Sequence, residues 1–209
     1  MATKKGAATR QRIIEAATAE IRERGTNATT LDDVGRRSGT GKSQMFHYFP
    51  DGREQLLLAV AEFEAANVFD GQQPYLGKLV SRAAWESWRD LVVGQYRDQG
   101  RYCPLGVLIA DVGRHSTAAQ AVTAQMIRRW QECIRDGIVA TQAAGEANPA
   151  LDPDRTAAAV VAGIQGGVSV LISTGSADHL EAALDLCLDH LLLPDDRVAG
   201  VDAGSPRRS

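Results

Sequence analysis

Apolar positions recur at three- and four-residue intervals along nearly the whole chain, and no stretch alternates apolar and polar residues long enough to make a strand between hairpin turns. The pattern predicts an all-α protein. Ile13, Ile14, Ala17 and Ile21 mark the inner face of a helix from about Thr9 to Arg24, stopped by Gly25. A second helix starts after Thr30, whose hydroxyl can cap its first turn, while Asp32 and Asp33 suit the positive end of the helix dipole and Leu31 and Val34 point inward. The small residues of Arg37-Ser38-Gly39-Thr40-Gly41 suit a tight reversal into a short third helix that ends at His47. Pro50-Asp51-Gly52 separates it from a fourth helix, Arg53 to about Val68, with Leu56, Val60 and Phe63 inward. Two short helices around a glycine-bearing turn make a helix-turn-helix.

Beyond the break at Gly71-Gln72-Gln73-Pro74, helices are predicted over residues 78–98, 104–113, 117–144, 153–174 and 177–193, with Pro104 and Pro153 at first-turn positions that tolerate a missing N–H. The chain thus divides into an N-terminal three-helix head (1–52), a larger helical bundle (53–193) and a polar tail expected to fray (194–209).

The overall charge of −3 hides an asymmetry. Residues 1–60 carry ten Lys and Arg against seven Asp and Glu, whereas the remainder carries thirteen against nineteen. A basic head on an acidic body can exploit counterion release at DNA without making the whole chain basic. Cys103, Cys133 and Cys187 are odd in number, far apart and without metal-ligand spacing, so no disulfide framework, structural metal or cofactor is expected. The longest apolar runs fall short of the roughly 20 residues that cross a bilayer, and the basic N-terminus lacks an apolar signal core. No membrane partner and a cytoplasmic location are the expectation.

The densest information lies in residues 30–49. A helix that enters the major groove presents short polar side chains on its leading edge and packs its other side inward. Gly41, Lys42, Ser43 and Gln44 supply that edge, and Met45, Phe46 and Phe49 the inward anchors. Lys42 can reach a guanine edge or a phosphate, Gln44 can pair with adenine, and the Tyr48 hydroxyl can donate to phosphate. Thr30, His47 and Arg53 are further candidates for phosphate contact. Each of these side chains has an alternative as an exposed, capping or covering group.

Together with Thr9-Arg10-Gln11-Arg12-Ile13-Ile14-Glu15-Ala16-Ala17, this stretch resembles the TetR family of one-component transcriptional regulators over about residues 9–60. The resemblance implies a DNA-binding head followed by a ligand-binding and dimerisation domain, in a homodimeric repressor that binds a palindromic operator and is released by a small, largely apolar effector. The segment from Phe46 to Leu56, with one extra residue before the fourth helix, is most similar to the multidrug- or flavonoid-responsive branch. Thr40, Gly41 and Gly35 depart from the family's usual valine, serine and alanine, and glycine for alanine inside the second helix should cost about 0.5–1 kcal/mol and loosen the head.

Downstream, Trp85, Trp88, Tyr96, Met126 and Trp130, with Cys103, Leu105, Leu108 and Ile109, are candidates to line an effector cavity, although their spacing also suits core packing. Asp111 and His115, four residues apart, read as a surface pair or as ligands to a metal or polar group. Val160, Ile164, Val168 and Leu171, then Leu184, Leu188 and Leu191, form stripes that either pair two subunits or close one subunit's core. Gly163, Gly166 and Gly167 would let such helices approach closely. The competing class is a helical-bundle carrier or enzyme with a purely structural N-terminal motif. Catalysis finds little support in four scattered histidines without an HExxH spacing, so no catalytic residue is assigned.

Overall fold

The computed structural model describes residues 4–100 and 116–194. Among them every regular element is helical: α1 (Lys4–Arg24), α2 (Leu31–Ser38), α3 (Lys42–Tyr48), α4 (Arg53–Asp70), a 3₁₀ turn (Tyr75–Gly77), α5 (Arg82–Gln99), α6 (Thr117–Ala143), α7 (Pro153–Thr174) and α8 (Asp178–Leu191). The helix expected over 104–113, with Cys103, Leu105, Leu108, Ile109, Asp111 and His115, lies outside the described residues, as does the tail from 195 onward.

Helix α1 starts five residues before the sequence pattern placed it, because Lys4 to Ala8 continue the helix without adding to its apolar stripe. Ser81, Ser116 and Asp152 cap α5, α6 and α7 by accepting from backbone N–H groups three residues on. Residues 78–81, expected as helix, are irregular: the Val80 N–H turns back onto the Lys78 carbonyl (2.9 Å) before the Ser81 cap.

Helix α4 joins the two parts of the molecule. It packs against α1 and also lies along α6 in the body. Arg22 of α1 reaches it through a two-pronged contact with Glu64, at 2.7 and 2.8 Å, and the Glu64 side chain is completely enclosed. Burial raises the Glu64 pKa, and Arg22 only partly opposes this.

The three tryptophans fill the body's interior. Trp85 donates its indole N–H to Thr141 (2.8 Å), and Trp88 and Trp130 both donate to the Oε1 of buried Gln72, at 2.9 and 3.1 Å. Gln72 returns its own amide to the carbonyl of Val68 (3.1 Å), so one side chain ties the end of α4 to α5 and α6.

Helices α7 and α8 pack into the subunit. Val160, Ile164, Val168, Leu171, Leu184 and Leu191 are all buried, and Leu188 is half-buried. The expectation that these stripes face a second subunit is therefore corrected: they close the core of one. Gly167 makes the approach possible, since a Cβ there would stand 2.5 Å from Leu180 Cα, whereas Gly166 faces open space. By length and hydropathy α7 qualifies as a membrane-crossing helix, but its Val160, Ile164, Val168 and Leu171 stripe is packed inside the subunit, where α7 meets α6 and α8.

Candidate nucleic-acid interface

The helix-turn-helix is held by interlocking caps. At the start of α2, the Asp33 N–H donates to the Thr30 hydroxyl (3.1 Å), while the Asp33 carboxylate accepts from the Thr30 hydroxyl (2.6 Å) and backbone N–H (3.1 Å). Those bonds, aided by Arg24 at 3.3 Å, hold the Asp33 pKa down to about 2. Thr30 is thus engaged within the head through both its hydroxyl and its backbone.

At the other end of α2 the chain reverses through Gly39, whose φ of +62° favours glycine. The Thr40 N–H reaches back to the Gly35 carbonyl (2.9 Å) and the Gly39 N–H to that of Arg36 (3.4 Å), the paired bonds of a Schellman stop. A Cβ on Gly35 would stand 2.9 Å from the Thr40 carbonyl oxygen. Gly35 does not loosen the head, as its helix propensity alone suggests; it admits the tight turn.

This turn sets α3 with Met45 and the following Phe49 buried and with Gly41, Lys42, Ser43 and Gln44 exposed. Among the described residues, the side chains of Lys42, Ser43 and Gln44 have no hydrogen-bond or ionic partner. At about 100° of rotation per residue, Ser43 and His47 project straight outward from α3. Gln44 and half-buried Tyr48 flank them on one side, and Lys42 and Phe46 on the other. The His47 and Tyr48 rings meet edge-on at 5.0 Å. The residues proposed from sequence therefore come together on one exposed face.

Two expectations need correction. Phe46 is 41% exposed rather than an inward anchor, because on a helix that buries Met45 and Phe49 its position falls on the flank. Its ring borders a cleft of about 490 Å³ with Thr30, Leu31, Arg36, Lys42 and Arg53. Arg53 is not a free phosphate ligand: both terminal nitrogens donate to carbonyls of the α1–α2 connection, those of Thr26 and Thr29, which fastens that loop to the start of α4.

In the body, Trp85, Trp88, Tyr96 and Trp130 are buried in packed surroundings. Met126 borders a cleft of about 310 Å³ between α4 and α6, with Ala65, Ala66, Phe69, Val122 and Arg129 around it. The Arg129 guanidinium lies over the Phe69 ring, 4.4 Å from its centre. Sequence periodicity did not single out Phe69 or Arg129, because neither differs in pattern from core or surface neighbours.

Two family models match the chain. One, described as bacterial regulatory proteins of the tetR family, covers residues 13–60; the other, described as the tetracyclin repressor-like C-terminal domain, covers residues 76–187. A helix-turn-helix-type transcriptional regulator from Mycobacterium tuberculosis H37Rv is 29% identical over 145 residues, spanning 62% of this chain and 71% of its own. Among solved structures, a TetR transcription regulator from Haloarcula marismortui aligns with a TM-score of 0.77 at 15% identity, over 90% of this chain and 100% of that one. One from Chloroflexus aurantiacus gives 0.74 at 24%, over 91% and 100%. SmeT, the repressor of the Stenotrophomonas maltophilia multidrug efflux pump SmeDEF, gives 0.69 at 17%, over 95% and 96%.

Proposed function

Because the chain belongs to the tetR family of bacterial regulatory proteins, we propose that it is a homodimeric, ligand-released repressor acting in the cytoplasm on an approximately palindromic operator. The observation that carries the DNA-binding part is the Gly41–Gln44 edge of α3, exposed and chemically unengaged beside a turn whose Thr30, Asp33 and Arg53 side chains are bonded within the head. Ser43 and His47 would face base edges, Gln44 would pair with adenine and Lys42 would meet guanine or phosphate. Phe46 would supply the apolar surface that a thymine methyl or deoxyribose covers.

The dimer contact we assign to the outer face of α7 and α8, opposite the buried stripes. From Thr156 to Thr174 the sequence of α7 contains no charged residue. Ala158, Ala159, Ala162, Gly166 and Ser169 are nevertheless exposed on that helix, beside Leu186 of α8, which is 71% exposed. An uncharged, small-residue face of this length suits close packing against its own copy, and an isologous contact would set two heads at a fixed spacing for the half-sites.

The effector would enter the α4–α6 cleft lined by Met126 and Phe69, where it touches the helix that carries the head. Its effect is linkage: a ligand that binds the wrongly spaced conformer more tightly lowers operator affinity by the same coupling free energy, typically about 1–3 kcal/mol. The Phe46–Leu56 segment supports an effector of the multidrug or flavonoid type.

Selection from a randomised duplex library tests the reading. A two-fold symmetric motif is expected, and Gln44→Ala should relax one position in each half-site by about 1–3 kcal/mol. A library that yields no enriched sequence would refute it.

A further inference from the structure

A cleft of about 640 Å³ runs between α1 and α4, on the seam where the head meets the helix that carries it. Thr18, Ala19 and Arg22 of α1 form one wall, and Phe63 and Asn67 of α4 the other. This is not the α4–α6 cleft. At about 100° per residue, Phe63 and Asn67 project from α4 about a third of a turn away from Ala65, Ala66 and Phe69, which border that one.

The α1 wall holds two buried polar groups without a hydrogen-bond partner among the described residues. Thr18 is 4% exposed, and its hydroxyl bonds to nothing. Helical threonines elsewhere in the chain behave differently: Thr9, Thr123, Thr141 and Thr174 each donate to the carbonyl four residues back. One turn after Thr18, and so on the same face of α1, a single terminal nitrogen of Arg22 makes both bonds to Glu64, while the buried Nε–H is left unpaired. Buried polar atoms are ordinarily bonded, so two exceptions a turn apart on the wall of one cleft point to a ligand that completes them.

Their chemistry defines what fits. The Arg22 Nε–H needs an acceptor, and the Thr18 hydroxyl can give or take a bond. The Arg22 charge is already answered by enclosed Glu64, and the carboxylates of Glu15 and Glu23 border the same cleft, which disfavours an anion. Half-buried Phe63 supplies aromatic surface. We propose that the α1–α4 cleft is a small-molecule site distinct from the α4–α6 cleft, for an uncharged, planar molecule with an oxygen acceptor. Thr18 and Arg22 hold it by hydrogen bonds and Phe63 by apolar contact. Bound there, it touches the head and the connecting helix at once. The inference stands apart from the effector assigned to the α4–α6 cleft and from the operator.

The probe is coumarin, a neutral bicyclic lactone, titrated into the full chain by calorimetry. Saturable binding is expected. Ala19→Trp, which fills the α1–α4 cleft, should remove one equivalent of bound coumarin per subunit, and Ala66→Trp, which fills the α4–α6 cleft, should leave that equivalent in place. Thr18→Val keeps the side-chain shape and deletes the hydroxyl, so it should raise the dissociation constant of this equivalent by about threefold to tenfold. The heat-unfolding midpoint of the same variant without coumarin should not fall, because no bond within the chain is lost. The proposal is overturned if the parent protein does not bind coumarin, if Ala19→Trp with native helix content retains all of the binding, or if Thr18→Val leaves the dissociation constant unchanged. A lower midpoint in Thr18→Val overturns it as well, since the hydroxyl would then be a structural group.

Discussion

Gly35→Ala is the substitution for which local propensity and tertiary geometry give opposite answers. Inside a helix, alanine should stabilise by about 0.5–1 kcal/mol relative to glycine. At Gly35, however, the added methyl carbon would stand 2.9 Å from the carbonyl oxygen of Thr40. That oxygen belongs to the backbone and cannot rotate aside. Relief requires the turn to move away from α2, which strains the Thr40–Gly35 and Gly39–Arg36 bonds that end the helix. Overpacking of this kind costs about 1–3 kcal/mol, so the net effect is a loss of about 1 kcal/mol.

For a chain of this size that loss corresponds to a fall of about 2–4 °C in the unfolding midpoint, measured by circular dichroism during heating. Operator affinity should fall as well, since the same turn aims the Gly41–Gln44 edge. Gly94→Ala in α5 is the matched control: its Cβ would meet nothing within 4 Å, so the propensity gain of about 0.5–1 kcal/mol should appear undiminished. A Gly35→Ala midpoint equal to or above that of the parent would refute the steric argument and restore the view of Gly35 as a weak point in the helix.

Three further outcomes follow from the packing and the caps. Gln72→Leu strands the indole N–H groups of Trp88 and Trp130, at about 1–3 kcal/mol for each buried donor, so urea unfolding should show a loss of several kcal/mol together with altered tryptophan emission; a loss below 1 kcal/mol would contradict the hub. Asp33 has a folded pKa of about 2 against an ordinary 3.8, so its contribution to head stability is complete above 3.8 and disappears as pH falls toward 2. Asp33→Asn should flatten the stability curve in that window, whereas an unaltered acid limb would mean that the carboxylate is not engaged. Leu186→Glu alters an exposed side chain and should leave helix content unchanged while sedimentation shifts toward the monomer; a persistent dimer would place the subunit contact elsewhere.

The head was legible in the sequence because its signals are local. Thr30 followed by Asp33, a glycine in the reversal and the Met45–Phe49 spacing each act within a few residues, and short-range geometry decides them. What the sequence hid depends on partners far along the chain. Arg53 is separated by 27 and 24 residues from the carbonyls that hold it, so nothing in its neighbourhood distinguished it from a cation waiting for phosphate. Gly35 reads as a poor helix former until the Thr40 carbonyl is placed beside it.

The stripes on α7 and α8 were ambiguous for a different reason. A buried leucine row has the same period whether its cover comes from the same subunit or from another. The opposite face carried the discriminating signal: a water-facing helix is ordinarily charged, and α7 bears no charge over its last nineteen residues. Once Val160, Ile164, Val168 and Leu171 are occupied by contacts within the subunit, the exposed alanines and glycine behind them are left as apolar surface without cover. In the proposed dimer, burying that surface against a second copy would also fix the distance between the two α3 edges, and the chemistry of one helix face would set the operator spacing.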